Sequence, residues 1–201
     1  MIKVFHAPRT RSVRVLWMAE EMGLPYEIEP VAFPGPKSAA FRAANPAGTL
    51  PAMVDGEVVL TESIAILQYL ADRYGPTPLS VGVDEPGRAD YLQFLVLGEA
   101  GLGAPLNAVI GARVFGPEDQ KESWTVRMVI EGFLRRLKLV ERQLEGRAYL
   151  AADRFTAADI SVAYIIGLAA ALGLAERMPP STLEYLKRMT ERPGYQRAAA
   201  R

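Results

Sequence analysis

Residues 45–53 read NPAGTLPAM and are followed, after a short gap, by the apolar run VVL at 58–60. Pro51 is the first residue of the short run 51–54, and the pair Asp55-Gly56 lies between this run and the run 58–60. An Asp-Gly pair flanked by short apolar runs is a strong signal for a tight β-hairpin turn. This stretch therefore predicts a hairpin of two antiparallel strands whose first strand begins at a proline.

The residues before the hairpin alternate between strand and helix patterns. Ile2–Phe5 and Tyr26–Val31 are apolar runs of strand length. Between them, Ser12–Met22 carries its apolar residues at helical spacing, and Gly23 follows as a stop signal. A strand, a helix and a strand within about 30 residues form a βαβ unit, in which a right-handed crossover joins two parallel strands. A short helix at Ser38–Ala44 is predicted to lead into the hairpin.

A Gly- and Pro-rich stretch separates this first half from the rest of the chain. A helical pattern at 64–74 follows the hairpin and ends before Gly75. Residues 77–87 are interpreted as a linker, because Gly and Pro accumulate there. Residues 1–76 are thus predicted to form a βαβαββα domain around a mixed sheet.

The remaining residues, 88–201, contain helical patterns and no convincing strand. The patterns cover 88 to about 115 with a kink near Gly101–Pro105, 118 to 144, and 157 to 172, with shorter helices from Ser181 onward. The run 157–172 is apolar nearly all round, which is typical of a buried helix. An all-helical C-terminal domain is therefore predicted after the α/β domain.

Composition narrows the classes of function. Lys plus Arg and Asp plus Glu both number 23, and this balance gives no indication of a nucleic-acid surface. No cysteine is present, which excludes disulfides, thiolate metal sites and cysteine nucleophiles, and the single histidine cannot form a multi-histidine metal site. We also expect no signal peptide and no membrane span, because no apolar run approaches about 20 uninterrupted residues. These features predict a cytoplasmic protein without a metal, nucleic-acid or membrane partner.

Four segments, in this order and spacing, resemble the cytosolic glutathione S-transferase family. HAPRTRSVRVLW at 6–17 is similar to the first strand–helix loop of serine-type and bacterial members, and NPAGTLPAM is similar to the family's Asn-Pro-x-x-x-Val/Leu-Pro segment. TESIAI at 61–66 resembles Glu-Ser-x-Ala-Ile, and FTAADI at 155–160 resembles Phe-Thr-x-Ala-Asp-Ile. The resemblance implies a thioredoxin-like N-terminal domain that binds glutathione, a helical C-terminal domain and a symmetric homodimer.

The resemblance implies a glutathione site around two short segments. Pro51 would form a cis peptide bond and turn the main-chain N–H and C=O of Leu50 towards an extended peptide. Ser63, in the first turn of a helix, would receive the γ-glutamyl carboxylate, and Glu62 would face the γ-glutamyl ammonium. From the residues alone, a trans proline entering an edge strand and an ordinary helix start capped by Thr61 stay open as alternatives.

The resemblance also implies a hydroxyl group at the start of the first helix. A free thiol has a pKa of about 8.5, so glutathione reacts as a thiolate only if the protein stabilises that charge by hydrogen bonding and a helix dipole. Serine-type members carry the hydroxyl four residues before the helix-one arginine, which implies Thr10 when counted from Arg14. Ser12 is the alternative, although it could instead cap the helix. His6 stands where tyrosine-type members would carry tyrosine, and it is interpreted as a strand-end or core residue.

Two further parts of the site have open roles. Arg11 forms a local basic cluster with Arg9 and Arg14, which could raise the positive potential at the thiolate or simply form a solvated helix start. Many family members hold the glycine carboxylate of glutathione with a Lys, Gln, Arg or His where this chain has Gly48 and Thr49. Thr49 remains a candidate contact, and Lys37 could reach the same carboxylate from the preceding loop.

An apolar pocket for an electrophile is implied between the Thr10 loop and the first helices of the second domain. Its expected lining consists of Leu106, Val109, Ile110, Arg113 and Phe115. The same side chains could equally be ordinary core or dimer contacts.

FTAADI contains a pattern that stabilises a helix start. Thr156 at the N-cap and Asp159 three residues later form a capping-box pattern, and Phe155 and Ile160 stand where a hydrophobic staple would close. We interpret this segment as structural.

The sequence therefore predicts a glutathione S-transferase that stabilises the glutathione thiolate for attack on a small apolar electrophile. A non-catalytic, transferase-like binding or regulatory protein is the alternative, and the residues at 48 and 49 favour it modestly. A third hypothesis keeps glutathione but changes the reaction to peroxide reduction, isomerisation, dehalogenation or ether cleavage. Reduction of mixed disulfides by an enzyme cysteine is disfavoured, because the chain has none.

Overall fold

A four-stranded sheet with strand order β2-β1-β3-β4 organises the N-terminal part of the chain. The strands are β1 (Ile2–His6), β2 (Tyr26–Pro30), β3 (Ala52–Asp55) and β4 (Val58–Leu60). In this computed structural model, which describes residues Met1–Arg201, β1 pairs in parallel with β2 and antiparallel with β3, and β3 pairs antiparallel with β4. The predicted βαβ unit and the hairpin are both confirmed.

Three helices complete the N-terminal βαβαββα arrangement, which is that of a thioredoxin-like domain. They are α1 (Ser12–Met22), α2 (Ala39–Ala44) and α3 (Ser63–Arg73). Gly23 ends α1 with a φ of 65°, a left-handed conformation that glycine adopts without steric cost. The chain as a whole forms two compact units, Met1–Ser80 together with Glu191–Arg201, and Val81–Thr190.

A buried apolar cluster lies under the start of β3 and fixes the turn that precedes this strand. The cluster consists of Phe5, Ala7, Val31, Phe41, Leu50 and Ala52. The rings of Phe5 and Phe41 are 5.4 Å apart between centroids. Because the Leu50 side chain is anchored in this cluster, its main chain is held in a defined position at the edge of the sheet.

The last helix, α9 (Pro193–Ala199), packs on α1 within the N-terminal unit. The ring of Tyr195 meets Trp17 edge-on at 4.9 Å between centroids, and Arg192 forms a two-pronged ion pair with Glu21 at 2.8 and 2.7 Å. The sequence predicts a helical domain over 88–201, whereas Glu191–Arg201 belong to the N-terminal unit. Local periodicity shows that this segment is helical but not which neighbour covers its apolar face.

The second unit is entirely helical apart from one isolated bridge between Ala151 and Arg154. Its α-helices are α4 (Arg88–Val96), α5 (Ala104–Ile110), α6 (Trp124–Leu144), α7 (Ala157–Ala169) and α8 (Pro180–Thr190). The predicted all-helical character is therefore confirmed.

The single long helix predicted from 88 to about 115 is interrupted by two π-helical segments, Leu97–Gly103 and Gly111–Phe115. Close packing against α7 accounts for the first interruption. Ser161 on α7 donates a hydrogen bond from its hydroxyl to the carbonyl oxygen of Leu95 at 2.8 Å, and a Cβ added to Gly98 would lie 2.2 Å from the same hydroxyl oxygen. A side chain that donates a hydrogen bond to a main-chain carbonyl oxygen of a helix disturbs the regular main-chain hydrogen bonds of that helix locally.

The predicted capping box at the start of α7 is confirmed, with Thr156 at the N-cap and Asp159 at the third helical position. The carboxylate of Asp159 is completely buried and accepts from the main-chain N–H of Thr156 at 2.9 Å and of Leu150 at 3.1 Å. It also accepts from the hydroxyl of Tyr185 at 3.0 Å. Burial raises the pKa of Asp159 to about 6, although these hydrogen bonds oppose the shift.

Two helical runs, Arg88–Phe115 and Ala157–Arg177, are long and apolar enough to cross a membrane when judged by length and composition alone. Both runs contain charged residues, among them Glu99 and Asp159, so the expectation that no uninterrupted apolar run approaches about 20 residues is not contradicted. The apolar window of the second run is 61% buried inside the protein, and that of the first is 39% buried. Since core helices of globular proteins share this composition, the two runs are weak grounds for a membrane location.

Candidate functional site

The loop between β1 and α1 carries two hydroxyl groups in direct contact. The hydroxyl oxygens of Thr10 and Ser12 are 2.7 Å apart, and that of Thr10 is also 2.8 Å from the carbonyl oxygen of Ala7, so the one Thr10 proton has two acceptors within reach. Ser12 is completely buried, whereas Thr10 is partly exposed. Of the two predicted hydroxyls, that of Thr10 is the one a ligand can reach, and that of Ser12 lies behind it.

His6, the last residue of β1, lies next to Ser12. Its Nδ1 is 2.8 Å from the Ser12 Oγ, and its Nε2 is 3.3 Å from the main-chain oxygen of Arg201. A main-chain oxygen can only accept, so Nε2 carries the hydrogen and Nδ1 of the neutral ring accepts from Ser12. Burial lowers the pKa of His6, and the hydrogen bond to Arg201 acts in the opposite direction. The sequence-based interpretation of a strand-end residue fits its position, but it did not include the link to Ser12.

The start of α1 corrects one alternative for Ser12. Arg11, not Ser12, occupies the N-cap position, and no side chain caps the helix. The first turn is instead closed by main-chain hydrogen bonds, from Val13 N–H to the Thr10 carbonyl at 3.0 Å and from Arg14 N–H to the Arg11 carbonyl at 3.2 Å. The Ser12 hydroxyl is therefore directed into the loop rather than to the helix end.

Leu50 and Pro51 lie beside this loop at the same edge of the sheet. In the antiparallel pairing of β1 and β3, Phe5 stands opposite Ala52, so the end of one strand meets the beginning of the other. The Leu50–Pro51 peptide bond is cis, as the resemblance implied. No hydrogen bond within the chain engages the main-chain N–H or C=O of Leu50, and both remain available to an extended ligand.

The buried side chain of Asn45 holds the segment that leads into this turn. Its Nδ2 donates to the Thr49 carbonyl at 2.7 Å and its Oδ1 accepts from the Ala47 N–H at 3.0 Å. Gly48 completes the turn with a φ of 70°. The sequence reasoning did not assign a role to Asn45, although an Asn-Pro pair before a glycine is a typical turn signal.

The first turn of α3 contains Glu62 and Ser63. Glu62 is the N-cap residue, so the alternative of a helix start capped by Thr61 is wrong. The Glu62 side chain is exposed and forms no ion pair within the chain, whereas Ser63 is buried. The guanidinium of Arg14 on α1, itself completely buried, donates to the Ser63 Oγ at 3.2 Å. This contact joins the starts of α1 and α3 and places a positive charge beside the helix terminus.

Lys37 and Thr49 are engaged separately. The Lys37 ammonium donates to the carbonyl of Ala32 in its own loop and lies 4.6 Å from the centre of the Phe33 ring. Thr49 is exposed and is bonded to Asn45. Each of these two candidates therefore has contacts within its own segment.

Both halves of the chain match one protein family. A family model for the glutathione S-transferase N-terminal domain matches residues 10–73, and one for the C-terminal domain matches residues 105–193. Glutathione S-transferase 3 of Zea mays is 32% identical over 182 residues, which cover 85% of this chain and 79% of the maize protein. The chain belongs to the glutathione S-transferase family.

Solved structures of glutathione transferases share the fold along nearly the whole chain. The glutathione transferase from Methylococcus capsulatus aligns with a TM-score of 0.87 at 28% identity. The alignment covers 100% of this chain and 98% of the Methylococcus capsulatus chain. A glutathione transferase from Phanerochaete chrysosporium, solved with oxidised glutathione, aligns with a TM-score of 0.85 at 25% identity and covers 98% of this chain and 92% of its own.

In this family member, the five residues predicted to line an electrophile pocket have different environments within the helical unit. Leu106 and Val109 on α5 are completely buried, and Phe115 is 60% exposed. Arg113 donates to the carbonyl oxygen of Leu172 at 2.7 Å and pairs with Glu122 at 2.6 Å. Ile110 is partly exposed. The two residues on the buried face of α5 fit the alternative of ordinary core contacts.

Proposed function

We propose that this protein is a glutathione transferase, which stabilises the thiolate of glutathione for attack on a small apolar electrophile. The observation that carries the proposal is the partly exposed Thr10 hydroxyl at the start of α1. It lies at the same sheet edge as the unpaired main-chain groups of Leu50.

The required stabilisation of the thiolate is within reach of this arrangement. Lowering a thiol pKa by about 2 units requires about 2.7 kcal/mol of selective stabilisation of the charged form. A hydrogen bond to a charged group contributes about 1.5–3 kcal/mol, and the amino end of a helix contributes about 0.3–1 kcal/mol more. The Thr10 hydroxyl together with the first turn of α1 is therefore sufficient.

The tripeptide would be held by three elements of the N-terminal unit. The cysteinyl residue pairs with the main-chain N–H and C=O of Leu50 in the manner of an added strand, next to Pro51. The γ-glutamyl carboxylate binds at the first turn of α3, where Ser63 is supported from behind by the buried Arg14. The exposed carboxylate of Glu62 faces the γ-glutamyl ammonium.

The active form is proposed to be a cytoplasmic homodimer. Leu92 and Val96 lie four residues apart on α4 and are 43% and 52% exposed, which gives this helix an uncovered apolar strip. Such a strip fits an interface in which α3 and α4 of two copies pack symmetrically.

Calorimetric titration with glutathione and with S-hexylglutathione tests the proposed function. We expect both ligands to bind in the micromolar to low-millimolar range and the hexyl conjugate to bind more tightly, because its alkyl chain occupies an adjoining apolar pocket. If neither ligand binds, the transferase proposal is wrong. Equal affinity for the two would contradict the apolar pocket alone.

A non-catalytic glutathione-binding protein is the second candidate. Gly48 and Thr49 offer no cation for the glycine carboxylate, and Lys37 is engaged within its own loop. Glutathione binding without turnover of any electrophile in a broad screen would favour this candidate over the enzyme.

Replacement of Ser63 by alanine is expected to raise the Kd for glutathione about 10-fold, because a hydrogen bond to the γ-glutamyl carboxylate is lost. Glu62→Gln should also raise the Kd by removing the charge that faces the ammonium. Asp72→Asn is the matched control, since Asp72 is an exposed acid on the same helix, and it should leave the Kd unchanged. Calorimetry on the three variants measures these values, and an unchanged Kd for Ser63→Ala would refute the assigned carboxylate site.

A further inference from the structure

We propose that His6 is a positioning residue that receives the thiol proton of glutathione through the hydroxyls of Ser12 and Thr10. This inference rests on the proposed function and assigns to that same site the destination of the proton.

Thr10, Ser12, His6 and the Arg201 main-chain oxygen form a continuous hydrogen-bonded chain. Thr10 and Ser12 are 2.7 Å apart, Ser12 and the His6 Nδ1 are 2.8 Å apart, and the His6 Nε2 is 3.3 Å from the Arg201 main-chain oxygen. Thr10 is partly exposed, and both Ser12 and His6 are buried. The chain of groups thus has one end that a ligand can reach, and its two middle members are buried.

The direction of this chain depends on the charge of the imidazole. With neutral His6, Nε2–H donates to Arg201, Nδ1 accepts from Ser12, and the Ser12 oxygen accepts from Thr10. In this arrangement the single Thr10 proton is donated to Ser12 and not to the Ala7 carbonyl oxygen, which lies 2.8 Å from Thr10 and 3.4 Å from Ser12. Both hydroxyl protons then point inward, so Thr10 presents an oxygen lone pair to a ligand. With protonated His6, Nδ1–H donates to Ser12 and every hydroxyl can donate outward.

The first arrangement accepts a proton from a thiol, and the second donates to a thiolate. In the step proposed, the S–H bond of glutathione breaks and its proton binds the Thr10 oxygen. The former Thr10 proton moves to the Ser12 oxygen, and the former Ser12 proton moves to the His6 Nδ1. The electron pair of the S–H bond stays on sulfur, and the net products are one thiolate and one imidazolium.

The surroundings of His6 favour the neutral ring until a thiol is bound. Burial lowers its pKa, so the ring is neutral at neutral pH before a thiol is present and can accept a proton. Once the proton has moved, the Arg201 oxygen continues to accept from Nε2–H, and the thiolate at the other end of the chain compensates the new positive charge.

Nitrogen NMR of the imidazole tests the inference directly, because His6 is the only histidine in the chain and its signals need no assignment. The full-length protein is labelled with 15N-histidine and saturated at neutral pH with glutathione or with S-methylglutathione, which has no thiol proton. We expect a neutral ring with hydrogen on Nε2 in the free protein and with the S-methyl ligand. Glutathione should convert both nitrogen signals to those of the imidazolium.

A variant that interrupts the chain separates proton transfer from a purely structural contact. In Ser12→Ala, glutathione should no longer protonate His6, while its binding persists in calorimetry. The wild-type comparison of the two ligands keeps the test valid if this variant does not fold. A ring that stays neutral with bound glutathione overturns the inference and leaves the proposed function intact. Failure of both ligands to bind overturns the two together, and protonation by both ligands overturns the role of the thiol proton.

Discussion

Replacement of Thr10 by alanine is expected to lower kcat for glutathione conjugation about 10- to 100-fold, because the thiolate loses a charge-assisted hydrogen bond of about 1.5–3 kcal/mol. The Kd for glutathione should change little, since the peptide is held by Leu50 and by the first turn of α3. Steady-state kinetics with an aryl halide and calorimetry on the same preparation measure the two effects.

Two companion variants make this prediction specific to the hydroxyl. Thr10→Ser keeps the hydroxyl and should retain most of the turnover. Ser12→Ala leaves the Thr10 hydroxyl in place but removes its buried partner, so we expect a smaller loss than for Thr10→Ala. If neither alanine variant changes turnover, the assignment of this loop to thiolate stabilisation is wrong.

Replacement of Asp159 by alanine is expected to lower the free energy of unfolding by about 4 kcal/mol. Two buried main-chain N–H groups and the Tyr185 hydroxyl would lose their acceptor, each at a cost of about 1–3 kcal/mol. Denaturant unfolding followed by circular dichroism measures the change. Asp153→Asn is the control, because Asp153 is an exposed acid a few residues earlier in the chain. Its backbone is in the left-handed region, which asparagine tolerates.

The raised pKa of Asp159 also predicts a dependence on pH. Its folded pKa is about 6 and its ordinary value is 3.8, so folding takes up a proton between these two values. The contribution of this carboxyl to stability is therefore largest below the ordinary value and is lost as the pH rises towards 6. Relative to Asp159→Asn, the wild type should become less stable over that interval. If the free energies of unfolding of the two proteins differ by the same amount at every pH, the raised pKa of Asp159 is contradicted.

Features with short-range signals could be predicted from the sequence. The bounds of α1 agree with the helical pattern and its glycine stop, and the Asp-Gly hairpin and the capping box of α7 are present as expected. Each of these features depends on residues that are close together in the sequence. Over such short distances backbone propensity and capping determine the local structure.

Features that depend on distant contacts could not be predicted. The π-helical segment Leu97–Gly103 depends on Ser161, and the contact of His6 with Arg201 spans nearly the whole sequence. For the candidate site, the sequence indicated a loop with two hydroxyls but not whether a ligand would reach Thr10 or Ser12. That choice needs the burial of the two side chains, which is a property of the folded chain.

The position of α9 has a consequence for the order in which the two units can fold while the chain is being synthesised. Trp17 on α1 is covered by Tyr195, which is synthesised only after the whole helical unit. The helical unit, an uninterrupted stretch of sequence, can complete its folding first, while the sheet-containing unit waits for its last helix. During that interval one face of α1 stays open, and nascent chains stalled before residue 191 should be sensitive to proteases and bind chaperones.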